Sequence, residues 1–261
     1  MQITHVPTIG KKYWAALILA SIFGANTGDL LADAVGLGHI AGLPFLAVLF
    51  ALVIVAERFD HIEHTAYFWS AIIIIRTSAT NIGDIGHDLH LRAPLVIAGF
   101  AIALFITILL WQAYGTRRKQ GNSPQGSSVL STVPVYWFAM LLAGALGTVL
   151  GDYFSFGLKL GTLKAAFVLG APLALTFALG GYRLRLHLLY YFFTVVLIRA
   201  AGTAAGDYLA RGLGLWWSTL TSGIVFIGFL VLLKKREEIV LSPAHKQTMH
   251  LETAPYSDRT D

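Results

Sequence analysis

Apolar residues in this chain do not alternate with polar ones. They run together in long blocks separated by short polar breaks. A helix needs roughly 20 residues to cross about 30 Å of hydrocarbon. Blocks of that order lie at 13–32, 39–56, 66–86, 94–114, 134–154, 164–180, 188–208 and 215–233. The pattern predicts an all-α polytopic membrane protein of about eight transmembrane helices. Pro172 interrupts the sixth block, which a membrane helix tolerates when neighbours re-satisfy the freed carbonyl.

The polar breaks divide the chain further. GTRRKQGNSPQGSS, from Gly115 to Ser128, has a linker composition. It implies a short N-terminus (1–12), a first membrane half (13–114), a basic linker (115–133), a second half (134–233) and a polar tail (234–261) expected to be disordered. The first block ends in Asp29 and Asp33 rather than in a small-residue cleavage site, so no signal peptide is expected.

Composition agrees with lipid as the solvent, since 56% of the 261 residues are hydrophobic and 13% charged. There is no cysteine, which excludes disulfides, thiolate metal sites and thiol nucleophiles. The net charge of +5 is unevenly placed. If the N-terminus is inside, eleven basic residues, among them Lys11, Arg58, Arg117, Arg183 and Lys234, fall on the cytoplasmic side. Only Arg92, Lys159, Lys164 and Arg211 fall outside. By the positive-inside rule both termini are cytoplasmic, and the charge speaks for orientation in a bilayer rather than for nucleic acid.

Two fixed offsets reveal internal repeats. Adding 55 takes Trp14 to Trp69, Asn26 to Asn81, Gly28 to Gly83, Asp29 to Asp84 and Asp33 to Asp88. Adding 123 takes Trp14 to Trp137, Asp29 to Asp152, His64 to His187, Arg76 to Arg199 and Asp84 to Asp207. The unit is an aromatic pair, about 15 residues of helix, Gly-Asp, a loop and a second apolar helix. Two crossings per unit make the four copies parallel, with pseudo-twofold or fourfold symmetry along the membrane normal. Every Gly-Asp then lies toward the outer face. The pairs Tyr13-Trp14, Phe68-Trp69, Tyr136-Trp137 and Tyr191-Phe192 are expected to anchor in the inner headgroup belt.

With these pairs and the endings NTGD, TNIGD, GTVLGD and GTAAGD, residues 10–235 resemble a bacterial family of uncharacterised, membrane-anchored integral membrane proteins built of four tandem two-helix repeats. The resemblance implies an architecture and a bacterial inner-membrane location, and no activity. Phe192, at the tryptophan position of the fourth copy, departs from the pattern.

Small residues precede each aspartate four apart: Gly24 and Gly28, Ala79 and Gly83, Gly147 and Gly151, Gly202 and Gly206. This is a close-packing signature, so the odd helices should form the core and bring Asp29, Asp84, Asp152 and Asp207 around one axis. On the same helical face stand Thr80, Thr148 and Thr203, then Arg76 and Arg199 about 12 Å from their own aspartates at about 1.5 Å per residue. Charge in mid-membrane costs roughly 2.5–3.5 kcal/mol and often marks a transport path.

These residues, with Asp33, Asp88, Asn26 and Asn81, point to a transporter or permease for a small cation, or one coupled to protons. The alternatives are a non-transporting binding, sensing or scaffold protein, or a metal-binding membrane protein. His61, His64 and their repeat mate His187 form one candidate metal cluster, and His87 and His90 with the neighbouring aspartates another. No cofactor is required by the sequence beyond such an optional metal ion. An enzyme is not expected, since HExxH is absent and the histidines fall near helix ends rather than in haem-ligating positions. The expected partners are the lipid bilayer, a small ion or solute, and further copies of the chain.

Overall fold

The computed structural model describes residues 7–60, 65–119, 132–179 and 187–252. Among the described residues it holds eight α-helices and no strand. They are α1 (Lys11–Asp29), α2 (His39–Phe59), α3 (Ala66–Asp88), α4 (Ala93–Lys119), α5 (Pro134–Asp152), α6 (Thr162–Leu179), α7 (Leu188–Leu213) and α8 (Leu215–Glu252). Directly after their aspartates, α1 and α5 widen into single π-helical segments, Leu30–Ala34 and Tyr153–Gly157. Their mates α3 and α7 stay α-helical past the same point.

Among the described residues, seven helices are long and apolar enough to cross a membrane. The eighth, α3, is as long but more polar, because Arg76, Asn81, Asp84, His87 and Asp88 all lie on it. It does not face lipid, and its polar face is turned into the bundle. The chain is a multi-pass, all-α membrane protein. The linker expected over 115–133 is helical as far as Lys119, and its middle lies outside the described residues. The tail differs from expectation too. The last helix runs on to Glu252 instead of becoming disordered at 234, as suits the helix-forming run KKREE.

The odd helices form a closed ring, α1 to α3 to α5 to α7 and back to α1. One rule builds all four contacts. The two small residues before each aspartate receive, from the next helix, the residues eight and four positions before its own aspartate. A methyl on Gly24 would lie 2.5 Å from Arg76 Cγ, one on Gly83 2.9 Å from Thr148 Cγ2, and one on Gly151 2.9 Å from the Ala200 carbonyl oxygen. Gly202 meets Ser21 in the same way and closes the ring. Hydrogen at these positions lets the backbones approach, which substitutes for the hydrophobic drive that lipid does not supply.

Each even helix packs on the odd helix of the following unit: α2 on α3, α4 on α5, α6 on α7, and α8 across the seam on α1. The units are therefore interlocked. Within the spans, 72% of α5 but only 11% of α4 is buried, so the even helices form the lipid-facing jacket. Ile40, Phe45, Val48, Ile102, Phe167 and Ile224 are among its exposed apolar residues.

One expectation is corrected here. The aromatic pairs do not sit in a headgroup belt: all eight residues are at most 5% exposed. Each pair is edge-to-face, with centroids 5.3, 5.2, 4.9 and 5.1 Å apart in the four units. The pairs also pack on one another around the axis, as Trp14 does on Tyr191 and Phe68 on Trp137. Small residues at one end of the ring leave a cavity, and the other end must be filled by large side chains.

Candidate functional site: an acidic vestibule over buried arginines

At the carboxylate end the ring opens into a cavity of about 810 Å³. Asp29, Asp84, Asp152 and Asp207 all line it, one from each odd helix, with Asp33 and Asp88 nearer the rim. Among the described residues, no protein group donates a hydrogen bond to the four ring carboxylates. Six aspartates face His39, His87 and Arg211 across the cavity, and of these three only the arginine carries a fixed charge. The lining is rich in carboxylates.

Thr80, Thr148 and Thr203 line the cavity one turn deeper, and beneath them lies Arg76, fully buried. Its guanidinium reaches every helix of the ring. Nη1 donates to Thr80 Oγ1 at 2.8 Å and to Thr148 Oγ1 at 2.7 Å, Nη2 donates to Thr203 Oγ1 at 2.6 Å, and Nε donates to the Ser21 carbonyl at 3.3 Å. Thr80 and Thr203 in turn donate to the carbonyls of Arg76 and Arg199, one helical turn back. The hydroxyl lone pairs are thereby oriented toward the guanidinium. Arg76 thus pins the four helices together through three threonines and the Ser21 carbonyl, and not through a carboxylate.

Arg199 is the repeat mate of Arg76, yet its surroundings differ. It is also fully buried, but Nε, Nη1 and Nη2 have no hydrogen-bond partner among the described residues. Its electrostatic neighbours are Arg76 and the hydroxyls of Tyr13, Tyr136 and Tyr191. One cation already fills the threonine ring, and Thr203, the residue that would have served Arg199, is taken by Arg76. The fourfold backbone therefore carries a side-chain arrangement of lower symmetry.

The other expected residues are spread around this core. Asn26 and Asn81 are buried between helices, beside Gly206 and Gly42, with side-chain amides unpartnered and outside the vestibule lining. Gly24, Gly28, Gly83, Gly147, Gly151, Gly202 and Gly206 are all at ring contacts. His87 lines the cavity, His90 is exposed, and His187 is an exposed residue at the start of α7. His61 and His64 lie outside the described residues. Among the described residues, no three His, Asp or Glu side chains are grouped as metal ligands.

Sequence reasoning missed two features. His39, at the start of α2, lies 3.9 Å from Asp33, 3.8 Å from Asp84 and 3.9 Å from Asp88. Gly36 and Gly38 take positive φ, of 78° and 69°, in the turn that brings it there, and such backbone is the only local sign of its position. Arg211 stacks over the Phe156 ring at 4.8 Å across the rim. Arg211 and Phe156 lie on the aspartate stripes of their own units, each four residues beyond the aspartate.

No curated protein and no solved structure matches the chain. A family described as Repeat of Unknown Function (DUF347) matches residues 12–60, 135–183 and 190–238. These are the first, third and fourth helix pairs of the ring. The match leaves out the second pair, which carries Arg76 and Asp84. Since more than half of the sequence is matched, the chain belongs to the family of the Repeat of Unknown Function (DUF347).

Proposed function

We propose that this protein is a permease for a cation, either a small organic or metal cation or a proton-coupled solute, and that the vestibule is its binding site. The observation that carries the reading is the convergence of four aspartates, from four homologous helices, on one cavity with no protein donor on their oxygens. Carboxylates left open in this way attract a cation, and low-dielectric walls focus their field. About 810 Å³ suits a small organic cation or a hydrated ion. The Arg76–threonine clamp beneath is the closed gate, a cation barrier that moves when the ring loosens. By the distribution of basic residues the vestibule faces outward, with both termini in the cytoplasm of a bacterial inner membrane.

A binding or sensing protein without transport is the second reading. The fully buried aromatic end favours it, since it closes the bundle opposite the vestibule. A flux screen of purified protein in proteoliposomes, covering protons, divalent metals and small organic cations, separates the two. The permease reading expects at least one class to cross faster than through protein-free vesicles. Saturable cation binding with no flux of any class would support the second reading and end the first.

A further inference from the structure

The vestibule uses Arg76 but leaves Arg199 without a role. Arginine and tryptophan side chains can only donate hydrogen bonds, and this end of the axis is crowded with such groups. Three guanidinium nitrogens of Arg199, Trp14 Nε1 and Trp137 Nε1 are all buried with no acceptor. No tyrosine hydroxyl lies within hydrogen-bond reach of Arg199. Tyr13 and Tyr191 share a hydrogen bond at 2.5 Å, and Tyr136 and Tyr191 one at 3.2 Å. Two bonds use two of the three hydroxyl protons, and Tyr191 also points its oxygen at the weak acceptor Met140 Sδ, 3.9 Å away. A desolvated cation whose donors make no hydrogen bond is costly to fold. The missing chemistry is a buried negative charge that accepts several hydrogen bonds.

We infer that Arg199, with the hydroxyl cluster of Tyr13, Tyr136 and Tyr191, forms a binding site for a small monovalent inorganic anion of halide type inside the bundle. Arg76 strengthens the site through its charge, although four of its donors are spent on the three threonines and the Ser21 carbonyl. The charge is single because one guanidinium is unpaired. The ligand is small because Arg199, Tyr136 and Tyr191 are all 0% exposed and the vestibule lining stops at the threonines. The site is separate from the aspartate ring and does not depend on what the ring carries.

Equilibrium dialysis of the full chain in detergent against radiolabelled chloride, from a gluconate buffer, tests this. Folded wild type is expected to bind one chloride per chain saturably, and Lys234→Gln, exposed midway along α8, to bind it equally. Arg199→Gln is expected to lose binding. Tyr191→Phe, which removes one hydroxyl and keeps the ring, is expected to weaken it about tenfold or more, as loss of a hydrogen bond to a charged group does. No saturable binding of chloride, bromide or nitrate by folded wild type overturns the inference. Binding that survives unchanged in Arg199→Gln overturns it as well. If Arg199→Gln does not fold, Tyr191→Phe decides, and unchanged affinity there counts against the site.

Discussion

Proteoliposomes carrying the Asp84→Asn, Asp207→Asn double variant are expected to lose the cation flux of the wild type while keeping its helical fold. Asparagine preserves the shape of aspartate and removes its charge. A unit cation about 4 Å from a carboxylate gains about 4 kcal/mol at an effective dielectric near 20, close to a thousandfold in affinity. Two of the four ring charges disappear in this variant, on helices that face each other across the ring. Stability should hold or rise, because no protein donor depends on these oxygens and the remaining aspartates repel one another less. Flux and circular dichroism measured on the same preparation check both halves. Undiminished flux through the folded variant would remove the aspartates from the pathway.

The two arginines are expected to respond in opposite directions although they are repeat mates. Arg76→Met leaves three threonines and the Ser21 carbonyl without their shared donor and cuts the tie between four helices. A loss of about 3–5 kcal/mol follows, as for breaking other buried charged networks. Arg199→Met, measured in chloride-free gluconate, removes a buried charge that no protein group neutralises. Replacing such a charge by an apolar side chain of similar length is expected to be neutral, or stabilising by about 1–4 kcal/mol. Helix propensity does not confuse the comparison, since arginine and methionine rank together. Thermal unfolding of both variants in the same micelle reads the difference. Equal destabilisation would show that Arg199 has protein partners that the structure does not contain.

The architecture was largely legible in the sequence because repetition is a global signal. The offsets of 55 and 123 aligned the aspartates, threonines and glycines before any contact was known, and small residues four apart marked the faces that meet. The pairing of the even helices was not legible. The apolar residues of α2, α4, α6 and α8 form no distinct stripe, so no periodicity says that each packs on the next unit and the last on the first. The aromatic pairs do not act as belt anchors, although their spacing of about 22 Å from the aspartates, at about 1.5 Å per residue, suits the two sides of a bilayer equally well whether they face lipid or the axis. The inequality of Arg76 and Arg199 arises from a many-body effect. Two guanidinium groups compete for one set of three threonines, and repeat alignment treats them as equivalent.

Four tandem units close into a ring, with the last odd helix against the first. The chain has no native cysteine, so an engineered pair reports this closure directly. A Cβ on Gly206 would lie 3.6 Å from the Ala25 Cβ, within the range of about 3.5–4.5 Å that a disulfide bridges. Gentle oxidation of the Ala25→Cys, Gly206→Cys variant in membranes, followed by tryptic cleavage in the linker, is predicted to leave the two halves joined until a reductant is added. Ala25→Cys with Gly151→Cys, on the helix across the ring, is predicted to leave them separate. Halves that separate without reductant in the first variant, or stay joined equally in both, would contradict the closed ring.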